Sequence, residues 1–251
     1  MPIRSGSYKL QNYRPSGNGP RAPNGRLTFR FFFAYYAVEG RYGVVMSLPI
    51  AFTKTERPAT PNPWVFPDRT LTVFYGCPEM PRLSHYFLPR LLFAKKQILY
   101  LDGANQISPL LLARFARERG VDPSSVNSLI RVARAFTCFQ LTELVRRVPK
   151  TLERFSAHVL IITALPDLYF DEDVRDREAR ASFEHALEGL RNIAPLSLSI
   201  AVFSDATSFK TKRRDFFQRL RNQAEHVVKV ESTPDNKLSF TREKHTPLLP
   251  A

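Results

Sequence analysis

From about residue 69 onward, short apolar runs alternate with stretches of helical periodicity, a pattern that a mostly parallel sheet flanked by helices satisfies economically. The runs expected as strands are 71–75, 97–101, 128–131, 159–165 and 196–203. Between the second and third lies a helix with Ser108 as N-cap, Pro109 in its first turn, Leu111, Leu112 and Phe115 along one face, and Gly120 as terminator. The next opens on Thr137-Cys138-Phe139-Gln140, a capping-box spacing, and turns Leu141, Leu144, Val145 and Val148 inward, with Pro149 as its expected stop. Two more are expected at 175–192, with Ala179, Phe183, Leu187 and Leu190 inward, and at 211–222, with Phe216, Phe217 and Leu220 inward. The tail reads as a hairpin, 226–230 against 237–241, across Thr233-Pro234-Asp235-Asn236.

Ahead of this α/β core, residues 69–251, the composition changes. Residues 1–26 carry Arg4, Lys9, Arg14, Arg21 and Arg26 without one acidic residue, among Gly, Pro, Ser and Asn, and read as a disordered basic arm. A transit peptide and a nucleic-acid-binding arm share that composition. Residues 27–68 are β-rich, with a hairpin expected from 27–38 and 42–52, and then become an extended linker punctuated by Pro58, Pro61, Pro63 and Pro67 around Trp64.

The chain has 37 basic and 23 acidic residues, a formal charge of +14, which makes polyanions its natural partners. The most apolar stretch, 27–52, is broken by Arg30, Glu39 and Arg41, so no membrane span is expected. Cys77 and Cys138 stand far apart without metal-ligand spacing, which argues against a disulfide framework or a structural zinc site and for a reducing cytoplasm.

Five segments then fall into a familiar order: the strand 71–75, the turn Gly76-Cys77-Pro78, Ile98-Leu99-Tyr100-Leu101-Asp102, Ile130-Arg131-Val132-Ala133-Arg134-Ala135-Phe136-Thr137, and the terminal Phe240-Thr241-Arg242-Glu243-Lys244-His245. In order and spacing they resemble the ATPase core of RecA/RadA-type recombinases, over about residues 69–247. The resemblance implies a RecA-like, mostly parallel central sheet with a C-terminal β-hairpin, preceded here by a basic extension. It also implies a phosphate loop of the form GxxxxGK[ST], whose backbone N–H groups and lysine surround phosphates while a hydroxyl holds magnesium.

In that register the chain reads Gly76-Cys77-Pro78-Glu79-Met80-Pro81-Arg82-Leu83. Pro81 cannot donate an N–H, Glu79 brings negative charge, Arg82 stands for the lysine and Leu83 has no hydroxyl. Ser84 lies one residue late. Ala104 occupies the place of the family's catalytic carboxylate, and Thr163 that of the aspartate ending the Walker B strand. The expectation is a pseudo-ATPase with no catalytic residue, metal or cofactor, and a vestigial nucleotide site at Gly76, Arg82 and Asp102. Asp167, Asp171, Glu172 and Asp173 read as a solvated acidic loop rather than relocated metal ligands. Of Arg131 and Arg134, at a strand end, one is expected to face the old nucleotide crevice.

The remaining signal is electrostatic. Phe209, Lys210, Lys212, Arg213 and Arg214 follow the fifth strand, where the resembling recombinases carry a mobile DNA-contacting loop. Cations with a stackable ring suit single-stranded or non-specific DNA. The function expected is that of an inactive RecA/RadA-like accessory factor in DNA repair or recombination, binding DNA, an active recombinase, or both, with homo-oligomerisation open. A protein-interaction regulator without DNA binding and a divergent ATPase with relocated ligands are the alternatives.

Overall fold

The computed structural model describes residues 67–77, 80–232 and 238–245, which belong to the compact unit Phe52–Ala251. The expectations for residues 1–66, Trp64 included, and for the hairpin turn at 233–237 lie outside the described residues.

Seven strands, β1 (Leu71–Tyr75), β2 (Ile98–Asp102), β3 (Ile130–Arg134), β4 (Val159–Thr163), β5 (Ser199–Ser204), β6 (His226–Ser232) and β7 (Leu238–His245), form one sheet in the order β3-β2-β4-β5-β1-β6-β7. All neighbours pair in parallel except β6 and β7, the antiparallel hairpin at one edge. The helices are α1 (Met80–Phe93), α2 (Pro109–Glu118), α3 (Pro123–Ser128), α4 (Cys138–Leu152), α5 (Asp176–Ile193) and α6 (Arg214–Gln223). This is the α/β architecture that the alternating runs predict.

Because side chains alternate across a strand, each strand feeds two cores. On one face Val73, Leu101, Leu160 and Val202 pack with α4, α5 and α6 through Leu141, Val145, Phe183, Leu187 and Phe216. On the other Phe74, Tyr100, Ile161 and Phe203 pack with α1, α2 and α3 through Phe87, Leu88, Leu112 and Val126. Phe74 stacks on Phe203 with ring centroids 4.9 Å apart, and Phe183 on Phe216 at 4.5 Å, so each core has an aromatic centre.

The chain therefore leaves β1 and β2 toward one face, and β3, β4 and β5 toward the other. Neighbours β1 and β5 part in this way, and so do β2 and β4. Crevices at the carboxyl ends of such strands are where open α/β sheets bind ligands.

Several boundaries differ from the sequence expectation for local reasons. Helix α1 takes residues 80–83 of the stretch read as a phosphate loop, of which Pro78 and Glu79 lie outside the described residues: Pro81 is the helix's second residue, where a missing N–H costs nothing, and Pro89 is carried within it. Helix α3, capped by Asp122 accepting from Ser125 N–H at 3.1 Å, claims residues 123–128 and pushes β3 on to Ile130. Strand β4 stops at Thr163 because Ala164 turns left-handed, at φ +59°. Strand β5 starts only at Ser199, after a 3-10 turn at Ala194–Leu196 and a left-handed Ser197. Helix α4 runs through Pro149 to Leu152, since a proline in the last turn forfeits a single backbone bond. Helix α6 opens at Arg214, after another 3-10 turn at Ala206–Ser208. No helix among the described residues is long and apolar enough to cross a membrane.

Candidate functional site

A crevice of about 660 Å³ opens at the carboxyl ends of β1, β2, β4 and β5. Pro81 and Arg82 wall it from the start of α1, Gly103, Ala104 and Gln106 from the loop after β2, Asp167, Leu168, Phe170 and Asp171 from the segment after β4, and Asp205 and Phe209 from the loop after β5. Its size lies within the range of small-molecule sites, about 300–1,000 Å³.

Its floor is closed by hydrogen bonds internal to the protein. Asp102 and Thr163 end paired strands in register. The Thr163 hydroxyl donates to Asp102 Oδ1 at 3.2 Å and accepts from Ala104 N–H at 3.2 Å. The Asp102 carboxylate also accepts from the N–H groups of Gln106 and Ile107, at 3.1 and 3.0 Å, and lies 3.7 Å from Arg134 Nε. Fully buried, it is thereby occupied in shaping the loop after β2. Arg134 reinforces that loop through a 3.0 Å bond to Ile107 O. A Cβ at Gly103 would sit 2.5 Å from Thr163 O, so only glycine lets the two loops meet this closely.

The other positions of the expected nucleotide site have local explanations too. Gly76 turns at φ +121°, and a Cβ there would meet Val230 O at 2.6 Å: the glycine serves the exit from β1 past β6. Leu83 is buried in the core. Ser84, also buried, bonds Pro81 O at 2.6 Å and Tyr100 Oη at 2.7 Å, so its hydroxyl does not face a ligand. Arg82 remains at the crevice wall, its Nε donating to Gln106 Oε1 at 3.1 Å. Arg131 lies instead over the Phe155 ring, 5.4 Å from its centroid.

Asp167, expected in a solvated loop, is buried, which corrects that reading. Its carboxylate accepts from Ser204 Oγ–H and from Asp205 N–H, both at 2.7 Å, tying the segment after β4 to the end of β5. Burial pushes its pKa up to about 7, opposed by those two hydrogen bonds. The signal was present in the sequence: Leu165-Pro166 before it and Leu168-Tyr169-Phe170 after it make an apolar run around one acid. Asp171 is exposed and Asp205 half-buried at the crevice wall. Among the described residues, no three His, Cys, Asp or Glu side chains are grouped so as to hold a metal ion.

The basic loop divides. Phe209, 43% exposed, forms the crevice's lip and leans on Phe170 with centroids 5.6 Å apart. Lys210, Lys212 and Arg214 are exposed and make no ion pair among the described residues. Arg213 points the other way. Its buried guanidinium donates to Tyr169 O at 2.8 Å, Asp171 O at 2.9 Å, Val174 O at 2.5 Å and Asp176 Oδ1 at 3.0 Å, clamping the segment after β4. A run of four cations reads alike from sequence whether a member faces out or in, and only the fold separates Arg213 from its neighbours. Gln106 and Phe170 carried no sequence signal.

Compared with known proteins, the chain matches no family model, and no curated protein matches it.

Two outcomes follow from these placements. Arg213→Ala, which removes four hydrogen bonds at once and leaves Tyr169 O and Val174 O without the guanidinium, is expected to lower stability in urea unfolding by about 3 kcal/mol. Lys210→Ala and Lys212→Ala should stay within about 0.5 kcal/mol of the parent. Equal effects at all three positions would contradict the division of the loop.

The second concerns Asp167. Its carboxyl is held protonated in the fold below about pH 7 but ionises from about 3.8 when unfolded, so between those values rising pH removes stability. The slope approaches about 1.4 kcal/mol per pH unit. His85, whose pKa burial lowers, acts with the opposite sign, losing stability as pH falls below its ordinary value of 6.5. Asp167→Asn isolates the first effect. The stability of the parent minus that of the variant should fall steadily from pH 4 to pH 7 and then level; a difference independent of pH would contradict the assignment.

Proposed function

We propose that this chain is a non-hydrolysing RecA-like core that binds single-stranded or non-specific DNA as an accessory factor in repair or recombination. The observation that carries the reading is the distribution of charge at the sheet's carboxyl edge. The crevice is lined by one cation, Arg82, and three carboxylates, Asp167, Asp171 and Asp205, while Lys210, Lys212 and Arg214 are exposed on the loop that forms its lip. A triphosphate inside the crevice would meet more negative than positive charge, and a phosphate backbone along the lip would meet the reverse.

The magnesium–ATP that the resemblance implies does not fit these residues. Asp102 is committed to its own loop, Thr163 and Ala104 bond each other, and Ser84 is turned inward. Catalysis by phosphoryl transfer depends on positioned metal and phosphate contacts, so the reading excludes hydrolysis. Phe209 beside the lysines supplies the stacking surface that single strands use, at about 1–3 kcal/mol per base. A reducing, cytoplasmic setting belongs to the same reading, in which Cys138, buried, and Cys77, half-buried, stay outside any disulfide.

A second reading, a module that docks on an active recombinase or on a copy of itself without touching DNA, is favoured by the outer edge of β3. That edge has no partner strand among the described residues, and Val132, Phe136 and Phe139 beside it are 44%, 64% and 48% exposed. Edges of this kind are places where another chain can pair.

Fluorescence anisotropy with a labelled oligo(dT) decides between the two. The DNA-binding reading expects affinity to fall with salt at about 0.7 in log–log slope per phosphate contact. Charge reversal at Lys210, Lys212 and Arg214 together should weaken binding and reduce that slope by about 2. Absence of binding at low salt, or an unchanged slope in the triple variant, would favour the interaction module instead.

A further inference from the structure

From the lining of the crevice, and building on the DNA-binding reading, we infer that it takes a single guanine base while the attached phosphate stays outside on Lys210 and Lys212. Three features of the crevice converge there. The lip is aromatic: Phe209, tilted against Phe170, offers a ring face at the entrance, and the same residue is continuous with the exposed lysines. A base that leaves its strand and follows that ring inward keeps its phosphate beside the cations.

The interior accepts hydrogen bonds and repels anions. Ionised above about pH 7, Asp167 lines the crevice with each carboxylate oxygen accepting one hydrogen bond, from Ser204 or from Asp205 N–H, which leaves further lone pairs on both. Asp171 and Asp205 add acceptor oxygens at the wall, and Ala104 and Leu168 keep the remainder apolar. A flat, neutral group with donors suits this surface better than a phosphate does.

Among the four bases only guanine presents two neighbouring donors, N1–H and the N2 amino group, on one edge. Adenine and cytosine set a donor beside an acceptor, and thymine sets one donor between two acceptors. A carboxylate therefore pairs with guanine through two parallel bonds and with the others through one at most. Discrimination by such bidentate pairs is on the order of tenfold or more. The sheet's topology completes the case, because the crevice stands where strands part to opposite faces, the usual position for a nucleotide-sized ligand.

The test uses the full chain and labelled oligo(dT) carrying one central dG, dA or abasic position, with affinity read by anisotropy at fixed salt and at about pH 8, where the Asp167 carboxyl is ionised. The dG strand should bind about tenfold more tightly than the dA and abasic strands. Ala104→Trp, which fills the crevice, should abolish that advantage. Asp167→Asn should move the preference toward dA: its Oδ1 can still accept from Asp205 N–H, while its amide offers a donor beside an acceptor. Salt-dependent binding of equal strength to all three strands would overturn the guanine site and leave the DNA-binding reading standing. If no oligonucleotide binds, calorimetry with guanosine monophosphate separates the remaining cases. Binding of the free nucleotide, lost in Ala104→Trp, would support the site with a mononucleotide as its ligand and overturn the reading on DNA; no binding would overturn both.

Discussion

One hydroxyl joins the parts of this molecule that matter most. Thr163, at the end of β4, donates to the buried carboxylate of Asp102 and accepts from the N–H of Ala104, both at 3.2 Å. That pair of bonds exists because β2 and β4 run in parallel with Asp102 and Thr163 in register, and because Gly103 has no Cβ to hold the loops apart. A buried carboxylate without such partners carries a desolvation penalty of several kcal/mol. With three donors and Arg134 beside it, Asp102 becomes a structural anchor for the loop that walls the crevice. The same closure leaves the floor with no acidic group facing outward from the end of β2.

A second anchor works from the opposite side. Arg213 reaches under the segment after β4 and ties Tyr169, Asp171, Val174 and Asp176 together, while Asp167 in that segment holds the end of β5 through Ser204 and Asp205. Between the anchors the crevice keeps its shape, and the cations left exposed on the following loop are Lys210, Lys212 and Arg214. Their separation from the acidic wall follows from Arg213 facing inward, since its neighbours then alternate outward.

The fold was largely legible in the sequence because its signals are local and strong. Apolar runs of five or six residues mark β1, β2, β4 and β5, which are buried on both faces, and Ser108, Thr137 and Gly120 punctuate helices as their chemistry requires. What stayed hidden depends on tertiary context. Helix α1 was obscured by Pro81 and Pro89 and by the pull of a phosphate-loop register over the same residues. Helix α3, six residues long, has too few turns to show a period. The burial of Asp167 and the inward turn of Arg213 are facts about packing partners more than 35 positions away, which no window of neighbouring residues records.

The central claim is electrostatic: the crevice at the sheet's carboxyl edge is closed to a magnesium–triphosphate because its floor is satisfied from within and its walls carry more carboxylates than cations. Calorimetric titration of the full chain with ATP in millimolar magnesium addresses that claim without any mutation. The account predicts no heat beyond dilution; saturable one-to-one binding that disappears when magnesium is withheld would contradict it.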